Sequence, residues 1–212
     1  MIPGSTAPGP VEWVFASSNR GKLDEARALL ATCGITLLRS QTELGIETPE
    51  ESGGTFVENA LLKARHAAGA SGRPAIADDS GLCVDALGGA PGLVSARYAG
   101  SGASDRANID RLLGALAEVP ESQRSAHFVC VVVALVSASD PDPVIGTGHW
   151  HGVIATRPSG QGGFGYDPVF VVPELGCTAA ELDSARKRAL SHRGRALAAL
   201  RDGLLRRRAP GP

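Results

Sequence analysis

Asp78-Asp79-Ser80-Gly81 is the sharpest chemical signal in the sequence. It follows a short apolar run at 75–77 that Pro74 releases and that reads as a strand. Successive strand side chains point to opposite faces, so one carboxylate can meet a ligand while its neighbour braces the sheet or a loop. Paired carboxylates of this kind suit Mg²⁺, which takes one or two of them and fills its shell with waters and phosphate oxygens. Glu51 and Glu58 are further acidic candidates, and Glu58 also fits as the acid of a capping box with Thr55. The same four residues, Asp, Asp, Ser and Gly, also suit a solvated turn.

Three other segments carry groups of the right kind. Ser17-Ser18-Asn19-Arg20-Gly21 is turn chemistry between an apolar run and a helix that begins at Lys22. Free amides and the dipole at a helix start favour an anion there, so the segment is a sound phosphate cradle. It is not a P-loop, because Ala16 and Leu23 stand where that motif needs Gly and Ser or Thr. The glycine-rich loop at 159–167 offers Phe164 and Tyr166 as stacking faces, worth ~1–3 kcal/mol per base in single-strand binders. Ser191-His192-Arg193-Gly194 is a late donor cluster. His149 and His151 can share one face of a strand, but two histidines lack the third ligand a metal site needs.

Of the 21 basic residues only Lys22, Lys63 and Lys187 are lysines. A chain that otherwise uses Arg can keep lysines where a compact ammonium with rotatable donors is needed.

The elements that must position these groups can be read from periodicity and turn residues. Strands are expected at 12–16, 35–38, 75–77 and 169–172, and a long antiparallel hairpin at 126–136 and 144–154 around Asp140-Pro141-Asp142-Pro143. Helices are expected at 22–31, at 56–70 behind the Thr55-x-x-Glu58 capping box, and at 105–118 with Asp105 as cap. A last helix should follow the Thr178-x-x-Glu181 box to about Arg208, bent around 191–194. Strands and helices are intermixed and no internal repeat occurs. The fold class is therefore α/β (α+β-like), with a mixed sheet in one domain over 11–208 behind a disordered Pro/Gly lead-in at 1–10.

Composition sets the outer bounds. At 212 residues, about 70% of the unfolded chain's surface can be buried, so no disulfide or metal staple is required. A net charge of −1 argues against coating nucleic acid or anionic membrane by bulk charge. The longest apolar run, 128–136, is too short to cross a bilayer as a helix, and 1–10 does not read as a secretory signal. The four cysteines show no zinc spacing and are expected as thiols in a cytoplasmic protein.

Five segments together resemble the inosine triphosphate pyrophosphatase family: SSNRGK at 17–22, EESGGTFVENALLKA at 50–64, ADDSGLCVDALGGAPGLVSARYAG at 77–100, GGFGYDPVF at 162–170, and TAAEL with SHRG at 178–182 and 191–194. The resemblance runs over nearly the whole chain. It implies two lobes around a long central mixed sheet with a substrate cleft between them, and a homodimer. It also implies Mg²⁺-dependent hydrolysis of the α–β phosphate bond of dITP, ITP or XTP, with no stable nucleic-acid complex and no membrane. By the same resemblance Asp79 is the proton acceptor and a metal ligand, with Glu51 as a second metal position. Ser17, Ser18, Asn19, Arg20, Gly21 and Lys22 match the phosphate loop, with Ser80 beside it. Phe164, Gly165, Tyr166 and Asp167 match the base loop, Lys187, His192 and Arg193 the remaining substrate contacts, and Lys63 a phosphate contact. Ser18 stands where Gly is expected, and Cys177 where a basic residue is common.

Three alternatives stay open at this level. One is a pyrophosphatase for modified pyrimidine nucleotides, and another a catalytically silent nucleotide sensor. The third is an RNA-binding module using Arg206-Arg207-Arg208.

Overall fold

The computed structural model describes residues 11–208, so the lead-in expected at 1–10 lies outside the described residues. The strands are β1 Glu12–Phe15, β2 Leu37–Ser40, β3 Ala75–Val84, β4 Ser125–Leu135, β5 Val144–Ile154, β6 Phe170–Val172 and β7 Cys177–Thr178. They form one mixed sheet in the order β2-β1-β3-β4-β5-β6-β7. β1 runs parallel to β2 and β3, and every later pairing is antiparallel.

Among the described residues five α-helices cover this sheet: α1 Arg20–Leu30, α2 Phe56–Ser71, α3 Asp105–Ala115, α4 Ser184–Leu190 and α5 His192–Arg208. Side-chain alternation along β3 and β4 sorts the core. Ile76, Cys130, Val132 and Ala134 face α1 and α5. Ala75, Ala77, Val131 and Val133 face the fully buried alanines Ala60, Ala64 and Ala67 of α2, whose small side chains let that helix lie close to the sheet. A further cluster gathers Leu82, Phe128, Trp150 and Phe170 with Ile109 and Leu112 of α3. β3 and β4 thus carry one body of core at each end, which is the long central mixed sheet of the expected α/β class. Gly148 of β5 faces α5, where a Cβ would strike the His192 carbonyl oxygen and the Ala196 amide, so its absence lets the helix settle on the strand. β5 buries Gly146, Gly148, Trp150 and Gly152 and exposes Ile145, Thr147, His149 and His151 on its other face.

Several boundaries differ from the sequence reading. β3 does not end before Asp78: Asp78 and Asp79 pair with Val132 and Val131 in the middle of a ladder that continues to Val84. Pairing outweighs local turn chemistry there. Gly81 admits the 92–97 segment against the strand, where a Cβ would collide with the Gly92 carbonyl oxygen and Ser95 Oγ. α1 starts at Arg20 rather than Lys22, because Asn19 is the cap and accepts the Lys22 amide at 3.1 Å. β2 begins two residues late, after Ile35 has gone into the core. Ser104, not Asp105, caps α3. The Thr178–Glu181 box forms but opens only a 3-10 turn; α4 and α5 follow as two helices broken at extended Ser191.

Candidate active site

β1 pairs with β3 only at Val14 with Ala75 and Phe15 with Ile76, so Asp78 and Asp79 project past the end of β1 beside loop 17–19. Their side chains take opposite faces and enter two different charge networks. Asp78 is 2% exposed, with Oδ2 2.8 Å from Lys22 Nζ and 3.6 Å from Arg193 Nε. Burial alone would push its carboxyl up, but the Lys22 ammonium and the Arg193 guanidinium outweigh that and hold it well below the usual carboxylate range. On the other face Asp79 Oδ1 accepts from Lys63 Nζ at 2.8 Å, and Oδ2 accepts from Asn59 Nδ2 at 3.3 Å. Here burial wins: together with the nearby Glu51 charge it raises Asp79 above its ordinary value despite Lys63.

Lys63 Nζ also reaches Glu51 Oε1 at 2.9 Å, so one ammonium stands between two carboxylates. Burial works against its charge, yet Asp79 keeps its pKa raised. Glu51 is pushed up by burial and pulled lower still by Lys63 and Arg97. The paired oxygens of Glu51 and Asp79 around a point that already favours positive charge fit Mg²⁺. Among the described residues no third His, Cys, Asp or Glu completes a metal-holding group with them. That suits an ion which takes one or two carboxylates and leaves its remaining positions to water and phosphate.

The base loop and the late donor cluster meet at Phe164, which is 50% exposed. Lys187 Nζ lies 4.9 Å and Arg193 Cζ 5.5 Å from its ring centroid. Asp167 Oδ2 accepts the Phe164 amide at 2.8 Å and pairs with Lys187, fixing the loop. Gly165 donates its amide to Asp105 at 2.6 Å. Tyr166 departs from expectation as a stacking face: it is 4% exposed, packs in the core, and donates its hydroxyl to the Ser95 carbonyl at 2.8 Å. Phe164 is the aromatic surface of this loop. His192 is buried and stacked on Phe128 at 4.7 Å. Burial, aided by the Arg193 charge, keeps its imidazole neutral, and its Nδ1 has no hydrogen-bond partner among the described residues. Arg193 joins the two halves of the site, touching both Asp78 and Phe164.

Each of the three lysines therefore pairs with a site carboxylate: Lys22 with Asp78, Lys63 with Asp79 and Glu51, Lys187 with Asp167. Ser17 Oγ accepts the Asn19 amide at 3.2 Å, while Ser18 is exposed on the loop, Arg20 is exposed at the first position of α1, and Ser80 is partly exposed on the Asp78 face. No non-glycine residue among those described has positive φ, so Ser18 fits the cradle without backbone strain. Arg207 donates to the Asp142 carbonyl at 2.6 Å and pairs with Asp140, so part of the basic tail clamps the hairpin turn.

The Ham1 family's sequence profile matches residues 13–203. The chain belongs to the Ham1 family. It is 58% identical over 191 residues to the dITP/XTP pyrophosphatase of Yersinia pseudotuberculosis serotype I, covering 90% of this chain and 96% of that one. It is 56% identical to the dITP/XTP pyrophosphatase of Escherichia coli O157:H7, with the same coverage of both. The HAM1 protein of Coxiella burnetii superposes with a TM-score of 0.87 at 49% identity, over 92% of this chain and 99% of the other.

Within this Ham1 site Asn59 was not singled out by sequence reading. It is 2% exposed, donates to Asp79, and accepts the Gly53 amide at 2.8 Å, so it ties β3 to the loop that carries Glu51. The available signal was its i,i+4 relation to Lys63 on the same helix face. Asn59→Ala is expected to lower kcat about 10–100-fold, the scale seen when a supporting partner of a metal site is lost. KM for triphosphate should change little, because Asn59 holds carboxylate and backbone rather than the phosphate cradle. Steady-state kinetics separate the two parameters.

Proposed function

We propose that this chain hydrolyses the α–β phosphoanhydride bond of non-standard purine nucleoside triphosphates (dITP, ITP, XTP) to nucleoside monophosphate and pyrophosphate. The observation that carries the reading is the pair of networks on β3. One is Asp79, its carboxyl pushed up by burial and held by Lys63 and Asn59; the other is a cation cluster of Lys22 and Arg193 on Asp78. The names of the relatives support the substrate class.

A triphosphate brings about four negative charges, and hydrolysis of this kind depends mainly on positioning and charge stabilisation. The amides at the start of α1 and the ammonium of Lys22 would hold phosphate oxygens, with Lys63 and Lys187 neutralising further charge. Asp79 would take the proton of a water whose oxygen forms the new bond to the α-phosphorus. The bond from that phosphorus to the bridging oxygen breaks, and pyrophosphate leaves. Glu51 and Asp79 would hold Mg²⁺, which when bound neutralises phosphate charge and favours the leaving group.

Base choice follows from the purine edge. Hypoxanthine and xanthine present a 6-oxo acceptor and an N1–H donor, and adenine presents the reverse. The neutral His192, Arg193 and the loop amides can donate to the 6-oxo group while Phe164 stacks on the ring. Adenine would leave buried groups unpaired, a mismatch that can discriminate by up to about 10⁴–10⁵-fold.

Incubation with Mg²⁺ and, separately, dITP, XTP, dATP, dGTP and dTTP, with products resolved by chromatography, tests the reading. Monophosphate and pyrophosphate are expected from dITP and XTP, with little from the others. Diphosphate with orthophosphate would overturn the bond assignment, and tight dITP binding without turnover would make the chain a sensor. Homodimerisation and a cytoplasmic location belong to the same reading, supported by the family resemblance. No helix among the described residues is long and apolar enough to cross a membrane.

A further inference from the structure

His149 and His151 had no third partner in the sequence, and the sheet supplies one. His127 of β4 pairs directly with His151 of β5, and Val129 pairs with His149, so all three imidazoles rise from one face of the β4–β5 ladder. That face is the one opposite α5. Ring centroids lie 5.6 Å apart for His127 and His151, 5.7 Å for His127 and His149, and 6.4 Å for His149 and His151. Three imidazoles on one tetrahedral ion, with metal–nitrogen bonds of about 2.0–2.1 Å, have centroids roughly 5–5.5 Å apart. As they stand, no group of three or more His, Cys, Asp or Glu side chains among the described residues is placed to hold a metal ion. The rings must turn about their own side-chain bonds and draw together by roughly 1 Å or less to reach that spacing. His149 and His151 are exposed and free to do so, while half-buried His127 is the fixed member.

The surroundings suit a cation. Cys83 of β3 pairs with His127 across the next ladder and is half-buried, a soft ligand in reach of the same face. Asp85 lies close enough to act electrostatically on both Cys83 and His127, and its Oδ2 is fixed by Ser125 Oγ at 2.6 Å. Nitrogen donors with an optional sulfur select a borderline transition metal and not Mg²⁺. We infer that His127, His149 and His151 form a second cation site on this chain, for a divalent transition-metal ion of the zinc class, separate from the carboxylates of Glu51 and Asp79. Along the sheet, Asp79 pairs with Val131 and Val131 with Thr147, one same-face step from His149. The two sites thus share a face two strands apart, and the proposal stands whether or not the hydrolytic reading does.

The test titrates the metal-free full chain with Co²⁺ in excess Mg²⁺, followed by visible absorption, and then displaces it with Zn²⁺. Saturation at one equivalent per chain is expected, with the intense bands of four-coordinate cobalt that Zn²⁺ abolishes. His149→Gln and His151→Gln should each weaken Co²⁺ at least tenfold, since losing even an outer-shell partner reaches that scale. Both positions are exposed, and unchanged thermal melts without metal would show that the variants fold. Asp79→Asn should bind Co²⁺ like the parent chain. Absence of saturable absorption up to about 1 mM Co²⁺, well above the range of protein zinc sites, would overturn the proposal. So would affinity that falls with Asp79→Asn and stays unchanged in the histidine variants.

Discussion

Asp79→Asn is expected to lower dITP turnover at least ~100-fold while the protein stays folded. The substitution keeps the shape and the neighbours of the carboxylate but removes its capacity to accept a proton. Its stability effect should be small or favourable, and the sign follows from the environment. Burial raises the folded-state pKa of Asp79, with Lys63 opposing and Glu51 adding to the rise. The protonated form is therefore the one that folding favours. Its stabilising contribution is present below the unfolded carboxyl value and is lost as pH rises through the higher folded value. At neutral pH the Asp79 charge costs stability, and Asn relieves that cost. Lys63 keeps Glu51 as a partner at 2.9 Å, so no buried cation is stranded. Steady-state kinetics and a thermal melt on the same preparation check both halves. Near-normal turnover would remove Asp79 from the chemistry; a collapsed melt would make it a structural residue.

Much of this arrangement was legible in the residues, and the gaps have physical causes. The Thr55–Glu58 capping box located α2 to within one residue of its observed end, because caps are local and their partners lie three positions apart. The hairpin of β4 and β5 was similarly readable from its apolar runs and proline-stiffened turn. The scarcity of lysine pointed to three residues that the fold indeed pairs with site carboxylates. What local signals misjudged was pairing between distant segments. Asp-Asp-Ser-Gly reads as a strand end, yet β4 carries the ladder through it, and no local pattern encodes that. Tyr166 sits one residue from an exposed glycine-rich turn, but Ser95, far away in sequence, takes its hydroxyl and draws the ring into the core. Asn59 escaped for the same reason: its two partners, Gly53 and Asp79, are adjacent to it only in space. His127 became a neighbour of His149 and His151 only through strand register.

Asp78→Asn should have the opposite signature, a loss of stability of about 3–5 kcal/mol, the scale for removing one partner of a buried ion pair. Asp78 lies between Lys22 Nζ at 2.8 Å and Arg193 Nε at 3.6 Å, with its side chain 1% exposed. An amide cannot balance two cations. Arg193 would keep only Glu25, 3.7 Å away, and Lys22 would be left without an anion on this strand. Burial pushes the Asp78 carboxyl up, but the two cations hold it far below its unfolded value. Its stabilising contribution is therefore fully present above the unfolded carboxyl pKa of about 3.9 and is lost as pH falls through the lower folded value. Urea denaturation at a series of pH values reads this directly. The parent chain should lose stability on acidification below about pH 4, and Asp78→Asn should start lower and fall less over the same window. Activity should drop as well, because Lys22 and Arg193 depend on Asp78 for their positions at the two halves of the site. Two adjacent aspartates on one strand would then separate by stability, Asp79→Asn losing turnover with the fold intact and Asp78→Asn losing both. Equal stability losses in the two variants would mean that the alternation along β3 does not divide catalysis from scaffold.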